Sequence, residues 1–275
     1  MELIFAVLIC LYRGDKSKWF QQSIDSIVAQ TVGFKNIRIY LGVDGPIGDE
    51  LEDYIAHHEG VFYKICRNSQ NLGLTKTLNK LIKNLENEEY IFRLDADDYC
   101  VPDRFEKQVI FLHQHPEVEV LGGGIIEIDC IGRKVYQRNY PLNMDLIKKT
   151  IHKGNPLAHS TICFRKSFFK KIKMYPEWAT YNQDLALWFQ GIKNGVIFSN
   201  ITEPLVYMRV DNDFYQRRRK NRALSELKIY FRGIYELHGL SYKYIFPLAR
   251  LLLRLSPSWV VKCLYSSSLR NKLNP

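Results

Sequence analysis

The sequence predicts an α/β protein built on a doubly wound, mostly parallel sheet, and three observations lead there. Residues 3–11 form a continuous apolar run, the pattern of a strand buried on both faces. Strand and helix patterns then alternate as far as residue 94. The third observation is Tyr90-Ile-Phe-Arg-Leu-Asp-Ala-Asp-Asp-Tyr99, a β-prone run that stops at three carboxylates, Asp95, Asp97 and Asp98. Side chains alternate along an extended backbone, so Asp95 and Asp97 are expected on one face, where two like charges call for a cation between them. Hard oxygen donors suit Mg2+ or Mn2+ carrying a diphosphate. Taken alone, an Asp-x-Asp also marks many ordinary turns after strands.

In order along the chain, residues 18–30 carry Trp19, Phe20, Ile24, Ile27 and Val28 at helical spacing. Residues 37–43 read as a second strand ending at the turn Asp44-Gly45-Pro46. A helix over 48–58 and a strand over 61–66 follow, and the turn Asn71-Leu-Gly73 feeds a helix over 75–85. Residues 90–94 are the fourth strand. Ligands of such sheets lie beyond the carboxyl ends of the strands, which gathers Leu11-Tyr12, Asp44, Arg67-Asn68 and Asp95-x-Asp97 in one crevice. Four polar features at four successive strand ends point to a nucleotide and its metal. No Gly-x-Gly-x-x-Gly and no Gly-x4-Gly-Lys-Ser/Thr run supports a dinucleotide or P-loop cradle.

Past residue 101 the alternation is less regular. Residues 102–113 read as a helix opened by Pro102, with Phe105, Val109 and Leu112 inward. Two strands, 117–128 and 133–139, flank the turn Cys130-Ile-Gly132. A helix over 142–152, an apolar stretch over 157–165 holding His159, Ser160 and Thr161, and a helix over 166–174 come next. Tyr181-Asn-Gln-Asp184 precedes a helix over 185–192, where Asp184 also suits a helix N-terminus. Two strands, 196–199 and 205–209, close the body.

The bulk numbers fit an ordinary globular chain of 275 residues, 46% hydrophobic and 25% charged, enough for one large domain or two small ones. Six cysteines are scattered with no Cys-x-x-Cys, and the four in apolar stretches read as reduced core thiols of a cytosolic protein. The first apolar run follows no basic leader and reads as a buried strand rather than a signal sequence. The net charge of +10 is uneven: residues 214–275 hold 13 Lys and Arg against two acids, Glu226 and Glu236. The other 213 residues nearly balance, 26 basic against 27 acidic. In the tail, residues 213–238 read as an amphipathic helix with Leu224, Leu227, Phe231 and Ile234 on one face. After Pro247, Leu248, Leu251, Leu252 and Leu255 oppose Arg250 and Arg254, and Trp259, Val260 and Leu264 continue the pattern. Nothing in the sequence is long and apolar enough to span a bilayer as a helix. A cationic amphipathic tail suits anionic lipid headgroups better than nucleic acid, and no nucleic-acid partner is expected.

In consistent order over residues 3–210 the chain resembles glycosyltransferase family 2, the inverting, nucleotide-diphosphate-sugar-dependent group with the GT-A fold. The resemblance rests on 7–31, an opening strand and Ser-Ile-x-x-Gln-Thr-like helix, on Val43-Asp44-Gly45, on Asn71-Leu-Gly73-Leu74 and on Arg93-Leu-Asp-Ala-Asp-Asp98. It continues through His159-Ser-Thr161, Phe164-Arg165, and Gln183-Asp184 followed by Leu187-Trp188. Three positions depart from the pattern: Val43-Asp44-Gly45 keeps one Asp of two, Gln183 replaces a Glu, and Asp211 stands where a His is common. Pro102-Asp-Arg-Phe-Glu-Lys-Gln108 and Asn212-Asp-Phe-Tyr-Gln-Arg-Arg218 resemble the branch that builds bacterial O-antigen and exopolysaccharide repeat units. The resemblance implies a GT-A type, doubly wound (Rossmann-like) domain over 1–213, with a nucleotide-sugar half, 1–100, and an acceptor half, 101–213. The basic helical tail, 214–275, follows as a membrane-associating extension.

It also implies roles. Asp184 would be the general base, Asp97 would hold Mn2+ or Mg2+ with Asp211 as a further ligand, Asp44 would bond the uracil ring and Asp95 the ribose. Leu11, Tyr12, Asn71, Gly73, Lys76, Arg93 and Ala96 would complete the nucleotide-sugar site, and His159 and Trp188 would line the acceptor cleft, although a hydrogen-bonded core histidine is the other reading of His159. The expected activity is transfer of glucose or galactose from a UDP-sugar to a polyprenyl-diphosphate-linked acceptor such as GlcNAc-diphosphoundecaprenol, in β1,3 linkage, on the cytoplasmic face of the bacterial inner membrane. A nucleotidyltransferase would want a Gly-rich, Lys-bearing loop, absent from residues 8–18.

Overall fold

A computed structural model describes residues 3–210 and 220–255. Asp211, the run 212–218 and the pattern through Trp259 and Leu264 lie outside the described residues. The first half alternates as expected: β1 (Phe5–Leu11), α1 (Ser17–Val28), β2 (Ile37–Val43), α2 (Asp49–His57), β3 (Phe62–Arg67), α3 (Leu74–Ile82) and β4 (Tyr90–Asp95). β1 pairs in parallel with both β2 and β4, and β2 with β3. Two-sided burial explains their unbroken apolar sequences, since six of the seven residues of β1 are buried.

The second half comprises β5 (Tyr99–Cys100), α4 (Arg104–Gln114), β6 (Val120–Ile128), β7 (Lys134–Arg138), α5 (Met144–Thr150), β8 (Cys163–Arg165), α6 (Phe168–Lys171), α7 (Gln183–Lys193) and β9 (Phe198–Arg209). Among the described residues the nine strands join one sheet in the order β3-β2-β1-β4-β8-β6-β9-β5, with β7 paired to β6. β8 runs antiparallel to both β4 and β6, so it welds the two halves together. One face of the sheet is covered by α1, α2 and α4 through Phe20, Ile24, Leu51, Ile55, Phe105 and Leu112. The other is covered through α3, α5, α6 and α7 by Leu78, Leu81, Ile147, Phe168, Leu185 and Trp188.

Two expectations change. The strands expected at 196–199 and 205–209 are one strand, β9, which pairs in parallel with β6. Its register slips where Ile201 opposes Gly123 and Pro204 opposes Gly124, so Thr202 and Glu203 bulge out. Pro204 has no amide to give a ladder and sits where the ladder is already broken, so a turn-like sequence hides inside a strand.

The tail differs as well. α8 (Lys220–His238) packs against α7, with Ala223, Ile229, Tyr230 and Ile234 buried, while Leu224 and Phe231 of the expected apolar face are exposed, so that face is split between body and surface. Gly233 makes this docking close, because a Cβ there would stand 2.3 Å from the Phe189 ring. α9 (Ile245–Leu255) returns along α8. Arg250 turns inward to Glu226, 3.3 Å away, and to the Lys153 carbonyl, whereas Leu248 and Leu252 are exposed. The partly buried carboxylate of Glu226 gives the arginine a reason to face the body.

Candidate active site

The carboxyl ends of the first four strands converge as the sequence implied. The Asp44 amide donates to the Leu11 carbonyl at 2.8 Å, the Asn68 amide to the Val43 carbonyl at 2.9 Å, and Cys10 lies opposite Asp95 in the β1–β4 register. Asp44, just past β2, is buried, and its carboxylate organises the shelf. Oδ1 accepts from the Leu72 amide at 2.8 Å and from Asn68 Nδ2 at 3.0 Å, and Oδ2 accepts from the Gly73 amide at 2.9 Å. Asn71 Nδ2 donates to the Asp44 carbonyl at 3.2 Å. Gly45, at φ +88°, lets this loop close, since a Cβ would stand 2.5 Å from the Asn71 amide nitrogen. Four lone-pair positions less three internal donors leave Asp44 one outward acceptor direction. Leu11 and Ala96 are buried side chains, Tyr12 is exposed at the rim, and Lys76 lies on the exposed face of α3.

β4 ends at Asp95 itself, and a turn carries the chain through Ala96 and Asp97, closed by the Asp98 amide donating to the Asp95 carbonyl at 3.2 Å. The two-residue alternation expected for Asp95 and Asp97 therefore does not apply, and the turn is what clusters these acids. Asp98 is buried, accepts from the Arg209 amide at 2.9 Å and bonds the Ser160 hydroxyl. Burial, together with the charges of Asp97 and Asp95, pushes its carboxyl well above the usual carboxylate range. Arg209 also donates to the Asp97 carbonyl at 3.1 Å and to Gln22 at 2.7 Å, holding the turn to the end of β9.

Arg93 leaves the same strand and is buried, with Nη2 2.5 Å from Asp95 Oδ1. Among the described residues its Nε and Nη1 have no hydrogen-bond partner. The guanidinium is within electrostatic reach of Asp95, Tyr175, His159 and Asp184, so it stands between the strand-end crevice and the second half of the site.

Asp184 occupies the first turn of α7, which Asn182 starts abruptly from the left-handed region at φ 54°. Burial raises its carboxyl above the ordinary range, and the Leu185 amide, Asn155 and Arg93 oppose the rise. Asn155 Nδ2 donates to Asp184 Oδ2 at 2.6 Å. His159 is bonded through Nε2 to the Tyr175 hydroxyl at 2.8 Å and stands edge-on to Trp188. Burial and Arg93 push its pKa well down, so it stays neutral, as a core histidine would. Trp188 has no exposed surface and packs against Phe164 and Phe198, which leaves no face for an acceptor.

Among the described residues no three His, Cys, Asp or Glu side chains form a cluster able to hold a metal. Asp97 with its neighbours offers hard oxygen donors too few to coordinate a cation alone, which fits Mg2+ or Mn2+ completing its shell with diphosphate oxygens. Sequence reading missed Asn155, Tyr175 and the structural part of Asp98. Only the Gly154-Asn155-Pro156 turn signal was there to mark the first of them.

A glycosyl transferase family 2 model matches residues 6–173, and the chain belongs to that family of transferases. Over 273 residues it is 35% identical to an uncharacterized glycosyltransferase of Haemophilus influenzae, covering 97% of this chain and 99% of that one. It is 30% identical to the amylovoran biosynthesis glycosyltransferase AmsE of Erwinia amylovora, covering 95% and 98% of the two chains. It is 26% identical to the UDP-Gal:alpha-D-GlcNAc-diphosphoundecaprenol beta-1,3-galactosyltransferase of Escherichia coli, covering 98% of both. Of solved structures, S. aureus TarS 1–349 in complex with UDP superposes with a TM-score of 0.64 at 18% identity, over 98% of this chain and 74% of that one. The mannosyltransferase PcManGT of Pyrobaculum calidifontis, with GDP-Man and Mn2+, gives 0.60 at 12% identity, over 95% and 73%. The fold is thus the GT-A type, a mostly parallel, helix-covered sheet.

Proposed function

We propose that the chain is an inverting, metal-dependent hexosyltransferase. It moves glucose or galactose from a UDP-sugar to a polyprenyl-diphosphate-linked sugar, GlcNAc-diphosphoundecaprenol in β1,3 linkage. The reading is supported by one observation: Arg93, paired to Asp95 at 2.5 Å, is also within electrostatic reach of Asp184, which favours one site for the acids of the nucleotide half and the acid of the acceptor half. Tyr12, Asn71, Gly73 and Lys76 line the nucleotide side over the buried Leu11, Asp44 meets the base, Asp95 the ribose, and Asp97 holds the cation. When bound, Mn2+ or Mg2+ supplies Lewis-acid neutralisation of the leaving diphosphate.

In the transfer, an acceptor hydroxyl oxygen bonds to the anomeric carbon from the face opposite the diphosphate. The anomeric C–O bond to UDP breaks, and the hydroxyl proton goes to Asp184. A carboxylate whose pKa is lifted toward the working pH is a better base than an ordinary aspartate. One positioned base contributes about 10²–10⁴-fold. Asp184→Asn is expected to lose turnover on that scale while binding UDP as before. Turnover kinetics beside UDP calorimetry test it, and an equal loss of UDP affinity would sink the assignment.

The polyprenyl-diphosphate-linked acceptor is supported by the name of the Escherichia coli relative, and the product is read as a unit for O-antigen assembly. The amylovoran relative favours exopolysaccharide as the alternative. The tail, 214–275, acts as a unit that lies on the cytoplasmic surface of the inner membrane. Its support is the row of exposed side chains Leu240 (91% exposed), Tyr242, Ile245, Leu248 and Leu252 around Lys243. Among the described residues no helix is long and apolar enough to cross a membrane. Removing 241–275 is expected to abolish co-sedimentation with anionic vesicles, and unchanged sedimentation would refute it.

A further inference from the structure

We propose that Asn155 is a positioning residue for the acceptor-side base. Its amide fixes the rotamer of Asp184 and holds the carboxylate ionised and ready to take a proton. This rests on the reading of Asp184 as that base.

The geometry carries it in three steps. First, the contact is short and directional, Asn155 Nδ2 to Asp184 Oδ2 at 2.6 Å, in a setting where few donors are available. A donor to a carboxylate stabilises the charged form. Second, the orientation of the amide is determined. Asn155 Oδ1 accepts from the Leu157 amide at 3.4 Å, so the NH2 group is the end left to face the carboxylate. Third, the loop bearing Asn155 is fastened from outside. Pro156 restricts the backbone of Asn155, and its carbonyl accepts from Asn200 Nδ2 on β9 at 3.2 Å, while the same Nδ2 donates to the Pro141 carbonyl at 2.7 Å. Asn200 fits because Gly122 faces it, since a Cβ on Gly122 would stand 2.3 Å from Asn200 Oδ1. The base is thus held by a chain of contacts that begins in the glycine run of β6 and ends at Asp184.

The other titratable or charged groups that face Asp184 are Arg93 from β4, Tyr175 from the loop before α7, and Tyr140 from the segment after β7. Burial pushes Tyr140 up to about 12 and Tyr175 beyond the usual tyrosine range, so both stay neutral at working pH. Arg93 is permanently charged and already committed to Asp95. The Leu185 amide also donates to Asp184 from within α7, so Asn155 is the side chain from outside the helix that sets the orientation of its carboxylate.

The test is the pH profile of kcat for full-length Asn155→Ala and Asn155→Asp beside wild type and Asp184→Asn, with donor KM and UDP affinity measured in parallel. For Asn155→Ala, kcat is expected to fall about 10²-fold, the scale of a misplaced catalytic group, with donor KM unchanged. Its acid limb should move to higher pH, because the carboxylate has lost a donor. In Asn155→Asp two carboxyls would share one proton, and the limb should move further up. That variant also keeps an oxygen for the Leu157 amide, so it carries the test if the alanine variant melts early. Wild-type kcat with an unmoved acid limb overturns the proposal. So does a fall in kcat accompanied by a rise in donor KM and no shift of the limb. Full activity in Asp184→Asn would instead overturn the base assignment itself, whatever the Asn155 variants do.

Discussion

The two halves of the sheet build their parts of the site by different means. Through β4 the functional groups stand on the strand ends themselves, and their supports come from the next strand end and the turn after it: Asp44 is held by Asn68, Leu72 and Gly73. Beyond β4 the supports come from far along the chain. Asp98 is held by Arg209, and the Thr161 and Leu121 carbonyls both accept from Gln108 at 2.9 Å. Parallel strands with short connections bring their ends together by topology alone. A mixed sheet does not, and buried side-chain hydrogen bonds must do it. The seam between the halves is Arg104, which has no exposed surface and donates to the Arg93 carbonyl at 2.9 Å and to Gln108 Oε1 at 3.1 Å.

The largest effect expected is on the strand-end half. Asp97→Ala should lose the metal-dependent part of UDP-sugar binding while leaving Tm near wild type. Calorimetry with and without Mn2+ checks it, and undiminished metal dependence would show that the cation sits elsewhere.

Next comes the seam. Arg104→Met leaves the Arg93 carbonyl and Gln108 Oε1 short of donors in the interior, at about 1–3 kcal/mol for each unsatisfied group. A loss of about 3 kcal/mol is expected, seen as a drop of roughly 10 °C in Tm. A drop of a degree or less would mean the halves hold together without it.

The smallest effect concerns the C-terminal hairpin. His152 is buried edge-on to Phe246 of α9, and burial lowers its pKa to about 4, with Lys243, Lys153 and His238 adding to the shift. In the unfolded chain it titrates near its ordinary value of ~6.5. Between those two values the unfolded state binds more protons, so stability falls as pH drops through that window and levels off below it. His152→Leu should flatten the slope of Tm against pH from 6.5 to 4, the range set by its ordinary and shifted values. An unchanged slope would detach α9 from the stability of the body.

How far the sequence could be read follows the same division. The strands and crossovers of the first half, the crevice at their ends and the acid at the start of α7 were all visible in apolar periodicity and turn residues. The bulged strand β9 was read as two because Pro204 and its neighbours carry a turn signal that only pairing with β6 overrides. The helix over 102–113 was read from Phe105, Val109 and Leu112, yet its buried positions include the polar Arg104 and Gln108. Their partners include the Arg93 carbonyl on β4 and the Leu121 carbonyl on β6, which no periodicity encodes. Which faces of α8 and α9 turn in was not written in their amphipathic patterns, and Glu226 and Phe189 decide it.

The sequence by itself determined the doubly wound first half, the acidic turn after the fourth strand and the family of the protein. Each is written in short-range patterns whose physical cause, strand alternation or turn chemistry, acts over a few residues. Tertiary structure alone decided that Asn155 meets Asp184, that Arg93 spans both halves, and that Arg104 and Gln108 are interior. Those contacts join segments tens of residues apart, and a buried polar group takes whichever partner the packed chain brings within hydrogen-bond reach.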